Sequence, residues 1–208
     1  MDNFVKIQHP LINTFIFKLR NKETTPEVFR KTLSNIGKIL LFEALKDEET
    51  IIKIVRTPLE EIVYPTLIEE NFVIVAILRA GLPMLEGCVE VLPLAKSGFL
   101  GIKRDEETLQ STIYYKRIPD LTDKTVIVVD PMIATGGSMY LALEYIKSKN
   151  PKKIKSLHVI ASPEGIENLK RFKDVKFFIG EIDRGLNDRG YIVPGIGDAG
   201  DRAFNTED

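Results

Sequence analysis

The stretch Thr125-Val126-Ile127-Val128-Val129-Asp130-Pro131-Met132-Ile133-Ala134-Thr135-Gly136-Gly137-Ser138-Met139 joins a run of apolar residues directly to a turn of small residues and then to a helical pattern. Four consecutive β-branched side chains, Val126 to Val129, suit a central strand of a parallel sheet covered on both faces. Asp130 falls at that strand's carboxyl end. Thr135, Gly136, Gly137 and Ser138 leave little bulk between a ligand and the backbone N–H groups, while Met139, Ala142, Leu143 and Ile146 recur at helical spacing. The order of strand, acid, small-residue turn and helix predicts a phosphate cradle, where two hydroxyls and a helix N-terminus meet one anion. Each hydrogen bond to a charged phosphate contributes roughly 1.5–3 kcal/mol, and the helix N-terminus adds about 0.3–1 kcal/mol. Such a turn holds a phosphate without a lysine. The chain has no Gly-Lys-Ser/Thr, which removes the P-loop reading, and no G-x-G-x-x-G, which weakens the dinucleotide reading.

Outward from this stretch the chain alternates between strand-like and helix-like patterns. Residues 21–46 read as a long helix capped by Thr25, with Pro26 in its first turn and an apolar stripe of Phe29, Leu33, Ile36, Leu40 and Ala44. A shorter helix covers 11–19. Residues 51–55 and 72–78 read as strands, the second fully buried. The segments 82–91, 97–103, 113–117, 125–129, 139–148, 154–161, 164–172 and 175–179 follow as helix, strand, strand, strand, helix, strand, helix and strand. The implied fold is α/β, a mostly parallel twisted sheet with helices on both faces and ligands at the strands' carboxyl ends. Residues 43–70 otherwise carry no feature to which a role attaches.

With 208 residues, 44% of them hydrophobic, the chain suits a single domain over 1–208, and no linker, repeat or low-complexity tract interrupts it. Lys plus Arg number 29 against 30 Asp plus Glu, so no overall field draws the protein to nucleic acid or to an anionic membrane. The longest wholly apolar run, 72–78, is too short to span a bilayer, and Met1-Asp2 opens no signal-peptide pattern, so the expected location is the cytoplasm. Cys88 is the only cysteine, which rules out an intramolecular disulfide and a cysteine-rich zinc site, and it reads as core filling. His158, within Leu157-His158-Val159-Ile160, reads as a satisfied, partly buried histidine. His9, before Pro10, reads as structural.

Four more segments are placed to reach the same site. Ile77-Leu78-Arg79-Ala80-Gly81-Leu82-Pro83 puts a cation just after a buried strand, where Arg79 either forks onto pyrophosphate oxygens or decorates a surface turn. Gly101-Ile102-Lys103-Arg104-Asp105-Glu106-Glu107-Thr108-Leu109 lies between two strand-like runs and predicts a projecting hairpin arm over 101–118, able to close over a site or simply solvated. Tyr191-Ile192-Val193-Pro194-Gly195-Ile196-Gly197-Asp198-Ala199-Gly200-Asp201-Arg202 brings backbone groups close to a flat ligand such as an imide base, or else frays as a tail. The turn-rich run from Asp183 to Gly190 connects into it.

Taken together, in this order and spacing, these segments resemble the uracil phosphoribosyltransferases, a branch of the type I phosphoribosyltransferases. His9-Pro10-Leu11 and Ala161-Ser162-Pro163-Glu164-Gly165-Ile166 resemble that family as well. Pro131 after Asp130 discriminates, because many purine and orotate enzymes place two acids there, and Gly-Asp-Ala-Gly-Asp-Arg at 197–202 is particular to the uracil branch. The resemblance implies transfer of phosphoribose from phosphoribosyl pyrophosphate (PRPP) to uracil N1, giving UMP and pyrophosphate.

The resemblance also implies roles for particular residues. Arg79 and Arg104 would hold the pyrophosphate, Asp130 the ribose hydroxyls, and Ala134, Thr135, Gly136, Gly137 and Ser138 the 5′-phosphate, with Pro131, Met132 and Ile133 completing the PRPP-binding run. Ile192, Gly197, Asp198 and Ala199 would form the uracil pocket within 183–208, mostly through backbone atoms, Asp198 also facing PRPP. Arg79, Arg104, Asp130 and Asp198 would carry the catalysis. Mg2+ would arrive with PRPP rather than on protein ligands, GTP would act as an effector, and the chain would form a homo-oligomer, dimer or tetramer. Ala203 and Asn205 depart from the isoleucine and glycine common in the family's tail. Two alternatives share these motifs: a PRPP-fold regulator that binds UMP and RNA, against which the balanced charge counts, and a phosphoribosyltransferase for another base.

Overall fold

The computed structural model describes residues 3–104 and 111–206, without the side chain of Arg104. Phe72, Ile74 and Ala76 face one apolar cluster while Val73, Val75 and Ile77 face the other. The strand they form is therefore covered on both faces, as its unbroken apolar sequence requires.

Along the chain run β1 (Phe4–Lys6), α1 (Pro10–Arg20), α2 (Pro26–Leu45), β2 (Ile51–Arg56), β3 (Glu61–Thr66), β4 (Phe72–Leu78), α3 (Leu82–Val91), β5 (Lys96–Arg104) and β6 (Ser111–Arg117). They are followed by β7 (Thr125–Val129), β8 (Met132–Ile133), α4 (Gly137–Lys147), β9 (Lys153–Ala161), α5 (Pro163–Leu169), β10 (Val175–Ile182), β11 (Gly185–Leu186), β12 (Ile192–Val193) and α6 (Ala199–Phe204). The main sheet has the order β1-β10-β9-β7-β4-β5-β6, with β8 added alongside the end of β9. All its pairings are parallel except β5 with β6. Helices α1, α2, α3 and α6 cover one face, and α4 and α5 cover the other.

This order positions the site. From β4 the chain crosses through α3 to β5 on one side; β7 flanks β4 on the other side and crosses through α4, on the opposite face, to β9. The loops leaving β4 and β7 therefore diverge, and a crevice opens between them at the carboxyl ends of the strands.

Local chemistry accounts for the helix starts. The Thr25 hydroxyl accepts the Val28 N–H with Pro26 following it, His9 Nδ1 accepts the Leu11 N–H, and Ser162 accepts the Gly165 N–H. The helix expected from residue 21 consequently begins at Pro26, because Asn21 to Thr25 form the connection from α1. Helix α2 lies close against α3, where a Cβ on Gly87 would stand 2.1 Å from the Ser34 carbonyl oxygen. Cys88 is buried at this contact, and burial pushes its thiol up to about 12.

Two differences from the sequence reading stand out. Residues 51–66 form an antiparallel ribbon, β2 with β3, and the second of these strands was not foreseen. Neither strand has a buried face, so no alternation of burial marks them, and Pro65 argues against a strand. The second difference lies inside the opening stretch. Met132 and Ile133 add a short parallel strand to β9 before the small-residue turn begins.

Candidate active site

The turn after β7 is held so that it presents donors to the crevice. Pro131, which has no N–H to leave unpaired, turns its carbonyl to accept from the N–H groups of Val159 and Ile160 on β9. From the other side the start of α5 and its Asn168 take up three further carbonyls: Ile133 O accepts from the Ser162 N–H at 2.9 Å, Ala134 O from the Ser162 hydroxyl at 2.6 Å, and Thr135 O from Asn168 Nδ2 at 3.0 Å. The turn's carbonyls thus point away from a bound anion, leaving the first N–H groups of α4, which have no partner within the helix, free to meet it. Gly136 adopts φ +82, in the left-handed region, and a Cβ there would meet the Gly165 carbonyl at 3.0 Å.

A cleft of about 520 Å³ opens above this turn. Arg79 and Ala80 border it after β4, Lys103 and Tyr114 border it from the β5–β6 hairpin, and Asp130 with residues 132–139 forms its floor. Asp198 and Gly200, at the start of α6, close the remaining side. Ile133 belongs to this floor, yet its side chain is buried in the core beneath it, and Pro131 does not line the cleft. Gly81 lets the two loops meet, since a Cβ there would lie 2.5 Å from the Val129 carbonyl oxygen.

Asp130 is buried at the bottom of the cleft. Burial pushes its carboxyl up to about 7 and the neighbouring Asp198 charge adds to this, against the lowering effect of the Met132 N–H. Arg79 is half exposed. Its Nη2 donates to Asp201 Oδ1 at 2.7 Å and its Nη1 to the Thr206 hydroxyl at 2.8 Å, so the guanidinium is fixed from α6 and the chain just beyond it. The Thr206 hydroxyl, followed by Arg79 itself, holds the Asp201 carboxyl below the usual range. His158 is wholly buried rather than partly so. It is bonded to the Asp130 carbonyl and the Ser156 hydroxyl, each at 2.7 Å, and burial pushes it down to about 3.

The C-terminal segment folds over the same end of the sheet. Strands β11 and β12 pair as a short hairpin, and the chain then turns through Gly195 and Gly197, both at positive φ. Asp198 caps α6 by accepting the Asp201 N–H at 2.9 Å. The side chains of Ile192 and Ala199 are buried in the core, so the cleft sees neither, and of the four uracil candidates Asp198 alone lines it among the described residues. What Ile192, Gly197 and Ala199 offer a ligand is backbone. Asn205 takes a left-handed conformation at the end of α6, a position open to asparagine as well as to the glycine common in the family. Arg104 is the last residue of β5, opposite Ser111; its side chain and residues 105–110 of the arm lie outside the described residues.

Sequence reasoning missed Tyr114 and the partners of Arg79. The signal for Tyr114 was Gly101, a glycine inside a strand: a Cβ there would lie 2.7 Å from the Tyr114 ring. Nothing in the local sequence pairs Arg79 with Asp201 and Thr206, which lie more than a hundred residues away.

A family model described as "Uracil phosphoribosyltransferase" matches residues 5–206. The chain is 50% identical over 201 residues to a protein of Aquifex aeolicus named uracil phosphoribosyltransferase, covering 96% of this chain and 97% of that one. A solved structure of a protein from Aquifex aeolicus superposes with a TM-score of 0.95 at 49% identity, covering 98% of this chain and 99% of that one. The purine phosphoribosyltransferase from Pyrococcus horikoshii is similar in fold alone, with a TM-score of 0.50 at 19% identity over 73% of this chain and 84% of that one.

Proposed function

The chain belongs to the uracil phosphoribosyltransferase family, and on that premise we propose how its cleft divides the work. The reaction transfers the 5-phosphoribosyl group of PRPP to N1 of uracil, giving UMP and pyrophosphate, a pentosyl transfer in pyrimidine salvage. The observation that carries the assignment of roles is the turn after β7, whose carbonyls at 131, 133, 134 and 135 are taken by β9 and α5 while residues 132–139 line the cleft.

Residues 134–138 hold the 5′-phosphate, and Asp130 accepts from the ribose hydroxyls. Arg79 and Arg104 grip the pyrophosphate, while Ile192, Gly197, Asp198 and Ala199 read uracil mainly through backbone groups. As the bond from ribose C1 to the leaving oxygen breaks, negative charge grows on pyrophosphate, where the two arginines stabilise it. The ribose gains cationic character above the Asp130 and Asp198 carboxylates. No covalent nucleophile is needed: Cys88 lies buried against α2, away from the cleft, and His158 is committed beneath Asp130. A backbone donor facing uracil O4 disfavours cytosine, whose amino group would leave both donors unpaired.

Asp130 and Asp198 line the cleft with hard carboxylate oxygens, which suits Mg2+ that enters on PRPP rather than on a protein ligand set. When bound, Mg2+ supplies charge neutralisation at the pyrophosphate.

Assembly into a homo-oligomer is supported by the β2–β3 ribbon. Ile52, Ile54, Val63 and Tyr64 are exposed on it, and a two-stranded ribbon with apolar side chains in water is marginal by itself. A second copy of the chain is the occupant we assign. No described helix is long and apolar enough to cross a membrane.

The deciding experiment incubates the protein with PRPP and Mg2+ and, separately, uracil, cytosine, hypoxanthine or orotate. Nucleotide from uracil alone is the expected result; nucleotide from another base, or from none, overturns the assignment. Sedimentation of wild type against Ile54→Lys tests the ribbon.

A further inference from the structure

An ion pair that no step of the transfer uses lies beneath the glycine-rich loop. Asp183 follows β10 and is buried, and its N–H donates to the Ala161 carbonyl at 2.8 Å, fixing it to the carboxyl edge of the sheet. Arg20 is the last residue of α1. Its Nη1 and Nη2 donate to Asp183 Oδ2 and Oδ1 at 3.0 and 2.5 Å, a two-point fork.

The same pair grips both backbone groups of Gly195. The Gly195 N–H donates to Asp183 Oδ2 at 3.0 Å, and its carbonyl accepts from Arg20 Nη1 at 3.0 Å. Gly195 sits at φ +65, and a Cβ there would stand 2.2 Å from the Ile192 carbonyl oxygen, so the chain makes a turn here that a side chain would block. Arg202 adds a second tie, donating to the carbonyls of Ile196 and Asn21 at 2.6 Å each. Residues 195 and 196 are thereby fastened to the carboxyl end of α1, one step before Gly197 and Asp198. Neither Arg20 nor Asp183 lines the cleft assigned to PRPP.

We propose that Arg20 and Asp183 are positioning residues for base recognition. The pair sets where the backbone groups of residues 195–197 stand, and so controls uracil affinity and the choice of uracil over cytosine without touching PRPP. The proposal rests on the assignment of this loop to uracil. A loop read through its backbone and carrying glycine at 195, 197 and 200 has few side chains to define its path, and recognition needs its groups held within about 0.5 Å. A buried ion pair is a poor source of stability, since desolvation offsets most of its attraction, but it is directional, which suits it to this task.

The test compares Arg20→Lys, Arg20→Met and Asp183→Asn with wild type in steady-state UMP formation, in uracil against cytosine selectivity, and in PRPP binding by calorimetry without uracil. Arg20→Met and Asp183→Asn should raise the uracil KM by roughly tenfold or more, the range for losing hydrogen bonds to a charged group. They should narrow selectivity and leave the PRPP Kd within about twofold. Arg20→Lys, which keeps the charge but cannot make the fork and reach Gly195 together, should fall between. An unchanged uracil KM, or a parallel rise in uracil KM and PRPP Kd, overturns the proposal. If the first two variants do not fold, Arg20→Lys decides: wild-type uracil KM in that variant overturns it. Failure of the uracil assignment itself reads differently, as absence of UMP from the wild-type protein.

Discussion

His158 Nδ1 stands 2.7 Å from the main-chain carbonyl of Asp130, so a buried side chain of β9 holds from below the residue that follows β7 and floors the cleft. The Asp130 N–H also donates to the Leu157 carbonyl, at 3.3 Å, which fixes both backbone groups of the acid to β9.

Replacing His158 separates its donor from its ring. Asparagine at 158 keeps an amide donor where Nδ1 stands, whereas leucine leaves the buried Asp130 carbonyl unpaired, at about 1–3 kcal/mol, and the Ser156 hydroxyl with the Met139 sulfur alone. His158→Leu should lower the melting temperature and raise the PRPP KM, with His158→Asn closer to wild type. The folded imidazole is pushed down to about 3 from 6.5, so its stabilising contribution is complete above pH 6.5 and is lost as pH falls towards 3. Thermal scans across that window should show a shallower acid loss in His158→Asn.

Asp130 has the opposite sign. Its folded carboxyl titrates at about 7 against 3.8 when exposed, so this group favours the folded state at low pH and costs stability as pH rises from 3.8 to 7. Asp130→Asn should therefore stabilise the ligand-free protein at pH 8, by up to about 4 kcal/mol, with the gain vanishing near pH 4. It should also weaken PRPP binding by at least about tenfold. A variant no more stable at pH 8 than at pH 4 would contradict the burial account.

Gly165 carries the contact between α5 and the phosphate turn. A Cβ there would lie 2.3 Å from the Ala134 carbonyl oxygen and 2.6 Å from Ile133 Cγ2, so Gly165→Ala must push the turn upward. The expected loss is about 1–3 kcal/mol in stability, together with a higher PRPP KM at unchanged uracil KM. A uracil KM that rose in step would place the damage elsewhere.

At the far end of β9, Lys155 is buried, with its Nζ 2.5 Å from Asp47 Oδ1, Glu48 Oε1 and the Ala44 carbonyl oxygen. The Lys155 ammonium holds the Asp47 carboxyl well below the usual range, with Lys176 also contributing. Lys155→Met should cost about 3–5 kcal/mol by leaving Glu48 Oε1 without its cation, Lys153 still pairing with Oε2, while Lys155→Met with Glu48→Leu should recover most of it. Urea titration checks both, and kcat should change in neither, because the cluster lies away from the cleft.

Much of this was legible along the chain. The apolar run of β4 and β7 announced a doubly covered sheet, and the order of acid, small residues and helix announced the phosphate turn, because both are encoded by residues adjacent in sequence. The β2–β3 ribbon was legible only in half, since both its strands lie exposed and burial leaves no period-two mark in them. The base loop was legible as glycines and acids, but not as a mounted object.

What the sequence alone determined is the fold class, the phosphate turn and the family, each resting on local pattern or on motifs kept in order. What only tertiary structure decided is which side chains serve which: Asp201 and Thr206 on Arg79, His158 under Asp130, α5 on the carbonyls of the turn, and Arg20 with Asp183 on Gly195. These partners stand between 12 and 175 positions apart, in no periodic relation. They meet because parallel strands bring distant carboxyl ends to one edge of the sheet, where each buried polar group must find a partner or bear the cost of desolvation.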